Sequence, residues 1–135
     1  MRIRNTHQTR RGFTLVELVV VVLILGIIAA IAAPKMFDTA SNAKDNSTRQ
    51  SLAVVRDAIE MYRAQNTAYP TGAALAINLK PYLRGPFPTC QVGNTSAAVF
   101  VTATDPIVVG GTGEGWAYNE TTSEFVVNHA DGFGW

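Results

Sequence analysis

Hydrophobic and polar positions divide this chain into three stretches of different periodicity. Residues 13–33 are almost continuously apolar; only Thr14, Glu17 and Gly26 interrupt the aliphatic and alanine character. From Lys35 to Asn66 the pattern turns amphipathic, with Leu52, Val55, Ile59 and Tyr62 at three- and four-residue spacing and Ala58 beside them. Asp45, Arg49, Arg56, Asp57, Glu60 and Arg63 occupy the other faces. This spacing predicts a helix whose stripe packs on the rest of the chain, with Asp45–Arg49 and Glu60–Arg63 as side-chain pairs one turn apart. After Asn66 the periods become short and are separated by turn residues.

The apolar stretch is long enough to matter. As a helix, residues 13–33 reach about 31 Å, against a hydrocarbon core of about 30 Å. The run Val19-Val20-Val21-Val22 has weak helix propensity in water. In lipid a helix still wins, because an open strand would leave N–H and C=O groups unpaired. Gly26 and Pro34 are the two helix-weakening residues, and Pro34 predicts a kink if the helix runs on. Glu17 is an ionisable group at bilayer depth, which is costly and therefore a functional signal by default.

The last part of the chain predicts a small sheet. Asn66-Thr67-Ala68-Tyr69-Pro70-Thr71-Gly72 ends the helix with turn chemistry. Leu75, Leu79 and Leu83 predict a short helix or turn, limited by Pro81, and Gly85-Pro86-Phe87-Pro88 a rigid loop. Ala98 to Thr102 is a candidate strand and Ile107-Val108-Val109 a weaker one. Trp116 to Asn119 and Glu124 to Asn128 predict a hairpin closed by Glu120-Thr121-Thr122-Ser123, with Trp116 and Tyr118 on one side matched by Phe125 and Val127. Gly110-Gly111-Thr112-Gly113-Glu114-Gly115 is a loop; a phosphate-binding role fails for want of the lysine and a following helix.

Charge changes the picture at one end. The precursor carries a net +1, but Arg2, Arg4, Arg10 and Arg11 all precede the apolar run, with no acid among them. Without residues 1–12, seven Lys/Arg stand against ten Asp/Glu. The basic residues therefore read as a topology signal that keeps their end cytoplasmic, not as a nucleic-acid footprint, and no nucleic-acid partner is expected. Cys90 is the only cysteine, so no intramolecular disulfide can form, and a small buried role fits it best. His129 stands apart from any Ser/His/Asp, paired-His or Cys grouping, so no enzyme is expected. About 70 residues remain beyond the helix, near the lower limit for a self-sufficient core, so this head should lean on the helix or on neighbouring subunits.

The junction Arg11-Gly12-Phe13-Thr14-Leu15-Val16-Glu17 closely resembles the processing site of the type IV pilin and type II secretion pseudopilin family. The strong resemblance covers residues 10–34, including Pro34. It implies cleavage between Gly12 and Phe13 by a prepilin peptidase, N-methylation of Phe13, and Glu17 as the carboxylate that guides assembly. Helix loosening near Gly26 and Pro34 is a further implication.

The Tyr69-Pro70 stretch and the Gly115-Trp116-Ala117-Tyr118-Asn119 hairpin are similar to major pseudopilins, in which a C-terminal loop can bind calcium. Asp105, Asn128 and Asp131 are the candidate ligands here; no cofactor is otherwise required. The absent disulfide, common in type IV pilins, favours the pseudopilin side.

The resulting expectation is an α+β chain: a long N-terminal α-helix, membrane-spanning in its first half, packed under a small antiparallel β-sheet head. Its parts are a removed basic leader at 1–12, a transmembrane and assembly helix at 13–33, an amphipathic continuation at 34–66, and a head with a C-terminal hairpin at 67–135. The implied function is a structural subunit of a type II secretion pseudopilus, a periplasmic helical homopolymer that helps export folded proteins. Its implied partners are the prepilin peptidase, other pseudopilins, inner-membrane platform proteins and, before assembly, the inner membrane, with the head periplasmic. The alternatives are a type IV pilin for adhesion, motility or DNA uptake, and a secreted protein with an ordinary signal peptide ending at Ala30-Ile31-Ala32. The apolar run exceeds the usual 7–15 residues of a signal peptide, and export alone does not explain Glu17.

Overall fold

A computed structural model describes residues 12–110 and 113–135. The expected leader, apart from Gly12, and Gly111 and Thr112 of the glycine-rich loop lie outside the described residues. Helix α1 runs Leu15–Asn66, unbroken by Gly26 or Pro34. The chain divides into two compact units, the first ending at Thr39 and the second starting at Ala40.

In the first unit every described side chain is exposed, including Leu15, Ile24, Ile31 and Phe37. Helix α1, through this apolar first part, is the one helix among the described residues long and apolar enough to cross a membrane. Pro34 leaves one carbonyl of the ladder without its donor. One turn on, Thr39 Oγ1 donates to the Lys35 carbonyl at 2.8 Å, a back-bond that slightly weakens and bends helices.

The second unit is built on the amphipathic half of α1. Leu52, Val55, Ala58 and Ile59 are buried and Tyr62 half-buried, the stripe that the spacing predicts. Beyond Asn66, a 3-10 turn at Gly72–Ala74 leads into α2 (Leu75–Leu79) and a second 3-10 turn at Lys80–Tyr82. Leu75 and Leu79 turn inward, and Pro81 sits in the terminal turn, where its missing donor costs little. Three strands follow: β1 (Val99–Thr102), β2 (Trp116–Asn119) and β3 (Phe125–Val127).

The sheet order is β1-β2-β3. β2 and β3 form the predicted antiparallel hairpin, with Trp116 opposite Val127 and Tyr118 opposite Phe125. β1, however, pairs with β2 in parallel, Val99 opposite Trp116 and Thr102 opposite Asn119. The sheet is therefore mixed, not antiparallel as expected. The reason is the 103–115 connection. Parallel neighbours need a crossover of a dozen or more residues, and this segment has that length. Ile107-Val108-Val109 is not a strand; Ile107 instead buries against Ala117 and Val126 on the outer sheet face, with Phe100 and Phe133 beside it.

The main core lies on the opposite face. Trp116, Tyr118, Phe125 and Val127 meet the α1 stripe, Leu75 and Leu79. Trp116 stacks on Phe125 at 5.3 Å between centroids, and Phe87 meets Phe125 edge-on at 6.3 Å. The polar ends are satisfied. Trp116 Nε1 donates to Pro88 O at 2.8 Å and Tyr118 Oη to Pro70 O at 2.9 Å.

Arg56 ties the helix to the rest of the unit, its Nε donating to Phe125 O at 3.0 Å and its Nη2 to Trp135 O at 2.9 Å. Arg49 lies over the Trp135 ring at 3.9 Å, so it serves as a cation–π partner where the helical spacing predicts a pair with Asp45. Glu60 and Arg63 do pair, at 3.7 Å on the surface. Gly115 is held close: a Cβ there would meet Cys90 Cβ at 2.6 Å and clash with the Ser96 carbonyl.

Leu79 is fully buried in this core, so Leu79→Ala should destabilise the second unit by about 2–5 kcal/mol. Urea unfolding of the detergent-solubilised chain, followed by tryptophan fluorescence, checks this. A loss below about 1 kcal/mol would contradict the packing role of α2.

Candidate functional site

Gly12, Phe13 and Thr14 precede the helix in irregular, exposed backbone. A Cβ on Gly12 would meet nothing within 4 Å, so packing among the described residues does not require glycine there.

Thr14 and Glu17 start the helix together. Glu17 N donates to Thr14 Oγ1 at 3.2 Å, and Thr14 N donates to Glu17 Oε2 at 2.9 Å. This is a reciprocal capping box, which satisfies two of the orphan donors at a helix start. Thr14 Oγ1 also donates to Glu17 Oε2 at 2.9 Å. The sequence carries the signal openly: a Thr three residues before a Glu at the head of an apolar run. The reading of Glu17 as a guide for assembly passes over this local role. Only Oε2 is engaged, leaving Oε1 without a hydrogen bond among the described residues.

The candidate calcium residues are placed differently. Asn128 is buried, its Oδ1 accepting from Gly110 N at 3.0 Å and its Nδ2 donating to Glu114 O at 3.1 Å. Asp131 faces His129, Oδ2 to Nδ1 at 3.4 Å, and Asp105 is exposed. No hydrogen bond or ion pair joins these three, and among the described residues no three His, Cys, Asp or Glu side chains cluster for a metal. The structure instead brings Asn128 to Glu114, whose Oε2 is buried without a hydrogen-bond partner among the described residues. A buried carboxylate oxygen with no donor is the kind of atom a cation would complete. Sequence spacing could not single out Glu114, which lies in a glycine-rich loop.

Cys90 is fully buried, and its Sγ lies 3.1 Å from the Val92 carbonyl. Burial pushes its thiol above the ordinary 9.0, and burial likewise pushes the Tyr118 phenol above 10.0.

A sequence model described as the prokaryotic N-terminal methylation motif matches residues 8–33. Curated relatives extend the similarity. The chain is 40% identical over 65 residues to the type II secretion system core protein G of Pseudomonas aeruginosa, covering 48% of this chain and 46% of that protein. It is 34% identical over 65 residues to the core protein G of Klebsiella michiganensis, with the same coverages. For Vibrio cholerae core protein G the figures are 37% over 64 residues, 47% of this chain and 44% of the relative. The chain thus matches somewhat under half the length of these relatives. No solved structure matches. The motif and these relatives make the chain similar, over the matched part, to type II secretion system core protein G.

The Cys90 and Tyr118 environments predict a pH response. Both groups have folded-state pKa values above their unfolded ones, so their protons favour the fold. Their contribution is fully present below about pH 9 and is lost as pH rises through the folded values. Unfolding midpoints between pH 7 and pH 11 should fall above pH 9, and less steeply for Cys90→Ala. A flat profile contradicts the burial of both groups.

Proposed function

We propose that this chain is a structural subunit of a type II secretion pseudopilus, processed by a prepilin peptidase and polymerised into a periplasmic filament that aids export of folded proteins. One observation carries the reading: an apolar helix with no side chain buried within its unit opens on a carboxylate, inside a methylation motif. Such a helix needs lipid before assembly and other helices after it. Gly26 and Ala30, four residues apart, let a neighbouring backbone approach closely.

Cleavage after Gly12 places an α-ammonium on Phe13, and N-methylation keeps its charge. Glu17 then has two duties. Oε2 holds the helix start through Thr14, and Oε1 is left for the ammonium of another copy. An ion pair is tolerated in low dielectric where a lone carboxylate is not. The pair sets the axial register of the incoming subunit, and the energy for extraction comes from other proteins of the secretion system. A type IV pilin remains the alternative. Deleting the gene separates the two: loss of exported proteins supports the pseudopilus, loss of surface pili the pilin.

Mass spectrometry of the mature chain should find methylated Phe13 at its N-terminus, whereas a start at Ala33 would mean simple secretion. Glu17→Gln keeps an oxygen for Thr14 N–H but removes the charge. It should be cleaved normally and lower the filament yield about tenfold or more, since breaking a desolvated ion pair is strongly destabilising. Undiminished filaments from this variant would remove the pairing role.

Calcium at the Glu114–Asn128 loop is a second proposal, supported by the orphaned Glu114 oxygen. Added Ca2+ should raise the thermal midpoint of the wild-type chain and not that of Glu114→Gln. Absence of both heat and thermal shift in the wild type would dismiss it.

A further inference from the structure

Charge is segregated along the second unit. Between residues 61 and 104 the charged side chains are Arg63, Lys80 and Arg84, with no acid. From residue 105 to 135 there are Asp105, Glu114, Glu120, Glu124 and Asp131, with no Lys or Arg. Arg63 is engaged by Glu60 and the Tyr69 hydroxyl. Lys80 and Arg84 are exposed and form no ion pair among the described residues. Lys80 stands one helical turn after Ile77, an α2 side chain that is 75% exposed while Leu75 and Leu79 face the core, and Arg84 follows four residues later in the chain.

The acids have a defined setting. Asn119 Oδ1 accepts from the backbone N–H groups of Thr121 and Thr122, and its Nδ2 donates to Thr104 O at 3.0 Å. Glu120 N donates to Thr102 O at 3.0 Å. These bonds lock the β2–β3 turn to the segment leaving β1. Asp105, Glu120 and Glu124 are thereby held at one end of the sheet, all exposed and without ion pairs among the described residues.

We infer that the Ile77, Lys80 and Arg84 surface of one copy docks on the Asp105, Glu120 and Glu124 end of the sheet of a second copy. The occupant is another copy of this chain because the complementary charge is carried, unpaired, on the same molecule. Two different patches meeting head to tail make a heterologous contact, the kind that extends into helical filaments instead of closing as a dimer. Opposed charges steer the encounter and fix the register, while the exposed Ile77 provides the apolar centre. The contact rests on the filament reading above and adds a head-to-head specificity that the apolar helices, which carry little directional information, do not supply.

The test uses full-length chain expressed in its own membrane in a Cys90→Ala background. One tagged copy carries Ala76→Cys and a differently tagged copy Thr121→Cys, both at exposed positions. A short thiol-to-thiol linker should join the two tags. Lys80→Glu with Arg84→Glu in the first copy should cut the product about tenfold, as should Asp105→Lys with Glu120→Lys in the second. Combining the two reversed copies should restore it. Filaments are scored in parallel by electron microscopy. Wild-type filaments without a cross-tag product, or reversals that are not mutually rescued, overturn the contact and leave the function reading standing. A product from position 76 to another polypeptide also overturns it. Failure of wild-type chains to polymerise overturns the function reading, and the contact with it.

Discussion

The second unit depends on one burial: the Leu52, Val55, Ala58 and Ile59 stripe of α1 against the Trp116, Tyr118, Phe125 and Val127 face of a three-stranded sheet. The sheet is too small to stand alone, since a few short strands need a packed face to be stable. The helix provides that face. Arg56 then fastens the arrangement by giving its donors to the Phe125 and Trp135 carbonyls. A polypeptide that makes its own head from half of its anchor helix leaves the other half free for different work.

That other half shows the opposite economy. Its described side chains are all exposed, and its start is satisfied locally by Thr14 and Glu17. A helix cap at the head of an apolar run solves the problem of unpaired N–H groups at the helix start. The same carboxylate leaves Oε1 without a hydrogen bond among the described residues, the oxygen that the proposed ion pair would use. Capping and pairing are compatible because a carboxylate has two oxygens. The cap would serve any helix start; the proposed pairing is the role that neither a signal peptide nor a plain anchor requires.

Much of this was legible in the chain. The apolar run, the amphipathic stripe and the Trp116–Tyr118 hairpin follow from periodicity and turn residues, the buried Cys90 from the usual place of a lone cysteine, and each is found in the structure. The parallel pairing of β1 was not legible. Nothing in Ile107-Val108-Val109 says whether it continues a ladder or crosses a sheet face, because a short apolar run fits both. Arg49 was misdirected for a related reason: helical spacing offers Asp45, whereas the fold brings the Trp135 ring, far away in sequence, to within 3.9 Å. Glu114 and Asn119 were silent too, since their importance comes from backbone groups that the fold brings to them.

Local order and periodicity therefore determined by themselves where the helix begins and which of its faces are apolar. They also determined that the hairpin closes at residues 120–123 and that a carboxylate sits at the helix start. Tertiary structure alone decided the mixed sheet, the clamp formed by Arg56, the outer cluster around Ile107 and the gathering of three carboxylates at one sheet end. The division has a physical cause. Periodicity is set by backbone geometry within a few residues, whereas strand direction and long-range contacts are set by which surfaces can be buried together once the whole chain has collapsed.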